Sequence, residues 1–187
     1  TIILKASSRL IVGLGISSAL ETSIRLHHVY GIPYIPSSAI KGVLRAYNIW
    51  KLANWEEDRF KEIEKNIEND KPSNEEEKKL IEIFGNQHQK GKLIILDAYP
   101  TNFEGFDIDI MNPHYPEYYE KDEPPADWQN PTPITFLAIP KGTEFRFFFR
   151  NSDLYREVFG VDIKEDLKKA LENIGIGAKT AIGYGSF

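Results

Sequence analysis

The pattern of apolar and polar positions divides the chain into extended and helical segments. Residues 2–14 are mainly β-branched and apolar with polar interruptions, which is typical of a strand that enters a core. Residues 22–30 alternate moderately and predict a second extended segment. Residues 92–99 have the strongest strand pattern of the chain, and two more strands are predicted over residues 134–139 and 143–150.

Two segments have the features of amphipathic helices. Pro33 and Pro36 force extended backbone, and a helix with Ser37 as its N-cap is predicted to follow them as far as Tyr47. A second helix is predicted over residues 163–174, with Asp162 as its N-cap. The apolar stripe of the first helix consists of Ile40, Val43, Leu44 and Tyr47.

Two further segments lie between these helices and predict insertions into a simple domain. Residues 55–84 are highly charged and helical in propensity, and Asn74 followed by glutamates resembles an N-cap with an acidic first turn. A helical insertion is therefore predicted at about residues 55–90. Residues 106–119 predict a projecting hairpin followed by a long loop, which gives a second insertion at about residues 101–131.

Without these two insertions, the predicted order is strand–helix–strand–strand–helix–strand. This is the order of the ferredoxin-like (RRM-like) βαββαβ fold, which belongs to the α+β class. The chain has 187 residues, of which 41% are hydrophobic, and this is enough for one core but too short for two comfortable domains. We therefore predict a single domain over residues 1–187, whose function has to be argued from particular sites.

Composition excludes several classes of protein and site. The chain has no cysteine, which excludes disulfide scaffolds, cysteine-ligated zinc and thiol nucleophiles. No window approaches the roughly 18 unbroken apolar residues of a membrane span, and no secretory leader pattern precedes the first strand. We therefore expect a soluble protein of the cytoplasm with no membrane partner.

The net charge of −5 is unevenly distributed along the chain. Residues 1–55 contain six basic residues and one acid, Glu21, so this part carries +5 and the remainder carries −10. Lys41 and Arg45 stand one turn apart in the first helix, near the N-terminal end of a dipole that also favours phosphate. Since affinity for nucleic acids comes largely from such side chains, this surface is a candidate RNA-binding face, with an ordinary solvated basic face as the alternative.

The C-terminal residues 175–187, called the tail below, are rich in glycine. Glycine allows close backbone approach, so that N–H groups can point at phosphate oxygens. The spacing fits neither a Walker A loop nor a dinucleotide fingerprint, because position 172 is Glu and position 180 is Thr. Gly175 alone would suffice as a helix stop, so the remaining glycines favour a loop that follows a polyanion backbone over a merely structural cap.

The tail and the predicted fold together resemble the RAMP superfamily of CRISPR-associated proteins, which are ferredoxin-like domains with a glycine-rich loop after the second helix. Four other segments resemble, in order, a subunit of type III-B (Cmr) effector complexes. They are residues 30–45, 84–100, 109–115 and 127–137. The resemblance covers nearly the whole chain, with the acidic helical insertion least covered.

This resemblance implies a non-catalytic role in antiviral defence. The expected partners are the CRISPR guide RNA near its 3′ end, the guide–target duplex and other Cmr subunits, and the chain would cap the backbone filament without cofactor or metal. Asn112, His114 and Tyr115 are predicted to insert beside the duplex or to dock a neighbouring subunit. The predicted RNA-binding residues are Arg25, His28, Lys41, Arg45, Gly175, Gly177, Lys179, Thr180, Gly183, Tyr184 and Gly185. Tyr184 would stack on a base or simply pack.

Two other functions stay open at this point. A metal-independent endoribonuclease of the same superfamily would use a histidine as general acid or base, but His27 and His28 would face opposite sides of a strand. A protein–protein scaffold without RNA contact would use the acidic blocks instead. Asp107, Asp109 and His114 suggest a metal set at first sight, but their alternation with isoleucines favours a two-sided strand.

Overall fold

The computed structural model describes residues 1–15, 22–111 and 133–187. Within these ranges the architecture is mixed α/β with small antiparallel sheets. The helices are α1 (Ser37–Leu52), α2 (Glu57–Glu68), α3 (Glu75–Phe84), α4 (Ser152–Phe159) and α5 (Ile163–Asn173). The strands are β1 (Ile2–Lys5), β2 (Ile94–Ile95), β3 (Tyr99–Pro100), β4 (Asp107–Met111), β5 (Ile134–Ala138), β6 (Glu144–Phe147) and β7 (Phe149–Arg150).

The central sheet has the strand order β1-β6-β3, with both outer strands antiparallel to β6. Side chains alternate across it, so that Phe145 and Phe147 of β6 are buried and Arg146 between them is exposed. Ile3 and Tyr99 are the register partners of Arg146 and therefore share its face. The sheet thus has one face in the core and one face toward the surface.

Helices α1 and α5 pack on each other and contribute to the same hydrophobic core as the buried face of the sheet. The predicted helix at Ser37 is confirmed and continues to Leu52. Its predicted N-cap is wrong, because Pro36 occupies that position and the carboxylate of Asp97 accepts the Ser37 N–H at 2.7 Å. The predicted cap of α5 is confirmed, since Asp162 accepts the N–H of Lys164 at 2.9 Å.

The charged segment forms the helices α2 and α3, as predicted. Asn74 caps α3 by accepting the N–H of Glu77 at 2.8 Å. The Glu77 carboxylate in return accepts the N–H of Ser73 at 2.7 Å, which satisfies this buried side chain. Helix α4 was not predicted, and its Tyr155 is fully buried.

Several predicted strands are shorter than their apolar patterns. The strand expected over residues 92–99 is split into β2 and β3, because the chain pairs first with β7 and then with β6. The strand expected over 143–150 divides at Phe148 into β6 and β7. Residues 22–30 form no strand, and Leu26 makes only an isolated bridge to Pro33. The first strand ends at Lys5, after which Leu10 bridges Ile139.

A hairpin-like ladder forms the second antiparallel element. β4 pairs with β5 from Asp107 opposite Ala138 to Met111 opposite Ile134. Ile108 and Ile110 are exposed while Asp107 and Asp109 point to the other face, which confirms the two-sided strand. The stretch between the two strands, from residue 112 to 132, lies outside the described residues.

None of the helices within the described ranges is both long enough and apolar enough to span a membrane.

Candidate nucleic-acid interface

The tail folds back against the segment that follows β1. The N–H of Ala178 donates to the carbonyl of Ile11 at 2.8 Å, and the N–H of Gly185 donates to the carbonyl of Arg9 at 2.8 Å. These bonds place the tail antiparallel to residues 7–12, at the outer side of β1. The tail is therefore held by the backbone of the N-terminal segment at two places, near Ala178 and near Gly185.

Two of the tail glycines are required by this close packing. Gly177 and Gly185 have φ of +96° and +76°. A Cβ at Gly177 would collide with the carbonyl oxygen of Ile11, and one at Gly185 with that of Ile176. Gly183 differs, because at φ of +97° it faces open space. Packing thus accounts for Gly177 and Gly185 without a ligand, whereas Gly183 lies where a ligand could approach.

The beginning of the tail presents a single basic side chain. Gly175 takes a φ of +74° just after α5, which confirms the predicted helix stop. The backbone of Lys179 lies in the left-handed region, with φ of +61°, and the residue precedes a 3₁₀ turn that begins at Thr180. The Lys179 ammonium lies 5.9 Å from the ring centroid of Phe136, and no carboxylate among the described residues forms an ion pair with it. As far as the described residues go, the Lys179 charge is therefore available for a phosphate.

Tyr184 is engaged within the protein. Its hydroxyl donates to Asp109 at 2.6 Å, and its ring lies 6.2 Å from that of Phe136. The hydrogen bond to Asp109 raises the pKa of the Tyr184 phenol, and burial adds to the effect. Of the two roles considered for this side chain, the contacts favour packing over stacking on a base.

Arg9 was missed as a site residue in the sequence. Its guanidinium donates to Asp107 at 3.0 Å and to Asp109 at 2.7 Å. Donation from Tyr184 and from the Ile110 N–H, together with Arg9, holds the pKa of Asp109 below its usual value. Arg9, Asp107, Asp109 and Tyr184, called the hairpin clasp below, therefore join the N-terminal segment, β4 and the tail. No local pattern reveals such a cluster, because its members are far apart in sequence.

Lys41 and Arg45 contact other parts of the molecule than the tail does. The Lys41 ammonium donates to the carbonyl of Leu93 at 3.2 Å, and burial, with help from Lys90, lowers its pKa. Arg45 forms an ion pair with Glu64 of α2 at 3.3 Å. Among the described residues, the partners of Lys41 and Arg45 are therefore Leu93 and Glu64, and neither lies in the tail.

Arg25 and His28 lie in a surface cluster of rings made by His27, His28, Tyr30, Tyr34 and Tyr99, called the aromatic cluster below. The Arg25 guanidinium lies 6.0 Å from the centroid of the Tyr34 ring and 3.4 Å from its hydroxyl. Tyr34 and Tyr99 stack with centroids 5.9 Å apart. The sequence singled out two of these positions, but Tyr99 joins the cluster only through the fold.

The two adjacent histidines share one side of the chain. The rings of His27 and His28 stack at 5.0 Å with an angle of 15°, so the prediction that they face opposite sides is wrong. The reason is that they lie at the entrance of a turn and not within a strand. His27 Nδ1 accepts the N–H groups of Val29 and Tyr30 at 3.3 and 3.4 Å, which fixes its ring over that turn.

The predicted tip residues Asn112, His114 and Tyr115 lie outside the described residues. In the part of the chain that the structure describes, no three acidic, histidine or cysteine side chains are grouped as metal ligands would be. Asp107 and Asp109, once considered for a metal, bind Arg9 instead.

Two curated relatives are similar in sequence over most of this chain. The Cmr6 subunit of the CRISPR Cmr system of Pyrococcus furiosus is 38% identical over 97% of the chain, and the Cmr6 subunit of Saccharolobus solfataricus is 30% identical over 93%. The chain spans 65% and 52% of the length of these two proteins.

Two solved structures are similar in fold. The crystal structure of Cmr6 from Pyrococcus furiosus has a TM-score of 0.60 at 35% identity, and the alignment covers 98% of this chain and 93% of that one. A chain in the cryo-EM structure of the Type III-B Cmr-beta bound to cognate target RNA has a TM-score of 0.68 at 25% identity, covering 99% and 56%. Residues 3–187 match the sequence profile of the RAMP superfamily, and the chain therefore belongs to that superfamily.

Proposed function

We propose that the chain is a non-catalytic RNA-binding subunit of a type III-B CRISPR (Cmr) effector ribonucleoprotein, corresponding to Cmr6. In this role it holds the 3′ part of the guide RNA, caps the backbone filament and contacts the guide–target duplex and neighbouring Cmr subunits. It acts in the cytoplasm and takes part in antiviral defence.

One observation carries this proposal. The fold matches, over 99% of the chain, a chain from a type III-B Cmr assembly whose structure includes cognate target RNA. The two Cmr6 relatives support the same assignment from sequence. Within the chain, the proposal is supported by the charge of +5 on residues 1–55. It is also supported by the basic side chain of Lys179 in the tail and by the open space at Gly183.

The proposal includes a ferredoxin-like arrangement over residues 1–187. The strand order β1-β6-β3 is the order of three of the four strands in such a sheet, and α1 and α5 take the places of its two helices. The tail would take the fourth position, and the hydrogen bond from the Ser7 N–H, just after β1, to the carbonyl of Ser186 at 2.9 Å supports this. The segments at about 55–90 and 101–131 would then be insertions into this single domain.

The RNA contacts are tested by replacing the predicted phosphate ligands in a reconstituted complex. In Lys41→Ala/Arg45→Ala/Lys179→Ala, guide binding should weaken, and the slope of log affinity against log salt should fall by about one for each phosphate that is no longer neutralised. Lys179→Ala alone should cause most of this loss of guide binding, because Lys41 and Arg45 already bind partners within the protein.

The matched control removes three positive charges from the acidic helices. In Lys61→Ala/Lys65→Ala/Lys78→Ala, guide binding should be unchanged, since these exposed lysines lie among glutamates. Unchanged binding in the first triple variant would show that the assigned residues are wrong. Crosslinking that places no RNA on the tail would favour the scaffold function instead.

The aromatic cluster favours one second candidate, a metal-independent endoribonuclease. His27 and His28 lie together with Tyr30 on the surface, and histidine is the usual general acid or base in such cleavage. Purified protein is incubated with repeat RNA in EDTA. Cleavage that disappears in His28→Ala would establish this function, whereas intact RNA at all times would support the non-catalytic one.

A further inference from the structure

The aromatic cluster exposes ring surface that the protein does not use for its own core. Tyr30 is 72% exposed and Val29 beside it 66% exposed, in a turn closed by hydrogen bonds between His27 and residues 31–32. The ring of Tyr30 lies 4.8 Å from that of His27 at an angle of 30°. Since Tyr30 is supported by a ring but mostly open to solvent, it offers a flat apolar surface already held in position.

The cluster continues onto the open face of the central sheet. Tyr99 lies 6.0 Å from His27 and stacks on Tyr34, and its register partner is Arg146 of β6. Arg146 is exposed on the face opposite the buried Phe145 and Phe147. The rings and this guanidinium therefore form one continuous surface that spans the turn and the sheet.

Two guanidinium groups, those of Arg25 and Arg146, flank the rings of the cluster. Arg25 lies over Tyr34, and within the described ranges neither Arg25 nor Arg146 forms an ion pair with a carboxylate. Asp97, whose charge acts on Tyr99, is occupied as the acceptor of the Ser37 N–H at the start of α1. Flat rings between guanidinium groups match alternating bases and phosphates, whereas a protein partner would have to supply acidic side chains at the same spacing.

We propose that the aromatic cluster is a stacking platform for an unpaired base of single-stranded RNA, with Tyr30 and Tyr99 as the stacking rings and Arg25 and Arg146 as ligands of the flanking phosphates. This inference rests on the proposed RNA-binding function and adds a base contact to it. The contact tolerates any base, because every base presents an aromatic face.

The test uses the full chain and a single-stranded oligouridylate that carries one fluorescent adenine analogue, whose emission falls when it stacks. Tyr30→Ala should weaken binding about tenfold and remove the loss of emission, because stacking is the interaction removed. Its slope of log affinity against log salt should equal that of the native chain, since no charge is lost. Arg146→Ala should lower that slope by about one.

Three controls make the result specific. Tyr30→Phe keeps a ring and should bind like the native chain, and Val29→Ala removes an exposed side chain of the same turn without effect. A strand that lacks the base at every position should bind the native chain and Tyr30→Ala equally, because it offers no ring that could stack. Thermal unfolding should be the same in all of these variants, because Tyr30 and Val29 are largely exposed.

The failure of this inference can be separated from that of the proposed function. Native-like binding by Tyr30→Ala and Tyr99→Ala, with weakened binding by Lys179→Ala, would refute the stacking platform and leave the RNA-binding function in place. Cluster variants that bind RNA normally but no longer assemble with neighbouring subunits would assign the surface to a protein and overturn the inference. No saturable binding of the oligouridylate by the native chain would refute both.

Discussion

At the scale of single residues, the buried polar network around Tyr155 is the best-defined feature of the core. The Tyr155 hydroxyl donates to Asp166 at 2.8 Å and accepts from the Asn48 amide at 2.8 Å. The Lys51 ammonium contacts the same carboxylate at 3.1 Å. Burial, and then the negative charge of Asp166, raise the pKa of Tyr155. Hydrogen bonds link Asn48 of α1, Tyr155 of α4 and Asp166 of α5, so the network fixes these three helices relative to one another.

Removal of one hydroxyl should expose the contribution of this network. Tyr155→Phe leaves the ring in place but deprives Asp166 and Asn48 of a partner, so we expect a loss of about 1–3 kcal/mol in the free energy of unfolding. Urea denaturation measures it. Tyr30→Phe removes a hydroxyl from an exposed ring and should change stability by less than about 0.5 kcal/mol. Equal urea midpoints for Tyr155→Phe and the native chain would contradict the role of the network.

The helix caps show how far single residues can be predicted from sequence. Asn74 and Asp162 were identified correctly, because a cap of this kind bonds to an N–H two or three residues away. Ser37 was assigned wrongly, because the acceptor at the start of α1 is Asp97, which is 60 residues away in sequence. Local chemistry is therefore readable in the sequence, while a cap supplied by another segment is not.

At the scale of elements, helices were predicted better than strands for a physical reason. The helical period depends only on one face meeting the core, and α1, α2, α3 and α5 lie where the pattern placed them. A strand also needs a partner along its whole length. Residues 92–99 are mainly apolar, but they change partner from β7 to β6, which leaves two short strands where one was expected.

The tail is the element whose placement depends most on glycine. Gly177→Ala would put a Cβ against the carbonyl oxygen of Ile11, whereas Gly183→Ala at nearly the same φ meets open space. Both variants should lose about 1–2 kcal/mol through the positive φ, and Gly177→Ala about 1–3 kcal/mol more through the collision. Hydrogen exchange at the Ala178 amide, with urea denaturation of each variant, measures this. Equal losses in the two variants would contradict the observed docking of the tail.

At the scale of the whole molecule, the surfaces proposed to contact RNA come from segments that are distant in sequence. The basic N-terminal part was recognised from charge alone, but Lys41 and Arg45 turn out to bind Leu93 and Glu64. Tyr99 reaches the aromatic cluster because Ile35 and Ala98 form a bridge, which sets Tyr34 beside Tyr99. No periodicity in the sequence predicts that contact. Composition thus predicts an anionic partner, whereas the side chains that could contact such a partner depend on tertiary packing.

The hairpin clasp joins three such segments, and its strength should depend on pH. The pKa of Asp109 is lowered from its ordinary value of 3.8 by the hydrogen bonds from Tyr184 and Ile110 and by Arg9. A carboxylate with a lowered pKa stabilises the folded state above its ordinary pKa, and this contribution is lost as the pH falls through the lowered value. Asp109→Asn should therefore lower the unfolding midpoint by about 2–4 °C near neutral pH and by less at about pH 3.

A carboxylate outside the clasp serves as the control for the charge of Asp109. Asp153→Asn removes an exposed carboxylate that lies outside the clasp, in the first turn of α4. This variant should leave the difference in unfolding midpoint between neutral and acidic pH as it is in the native chain. If Asp109→Asn lowered the unfolding midpoint by the same amount at neutral pH and at about pH 3, the role of the ionised carboxylate would be contradicted. Because Asp109 meets both Arg9 and Tyr184, the same substitution should also loosen the tail from the hairpin, seen as faster hydrogen exchange at Gly185.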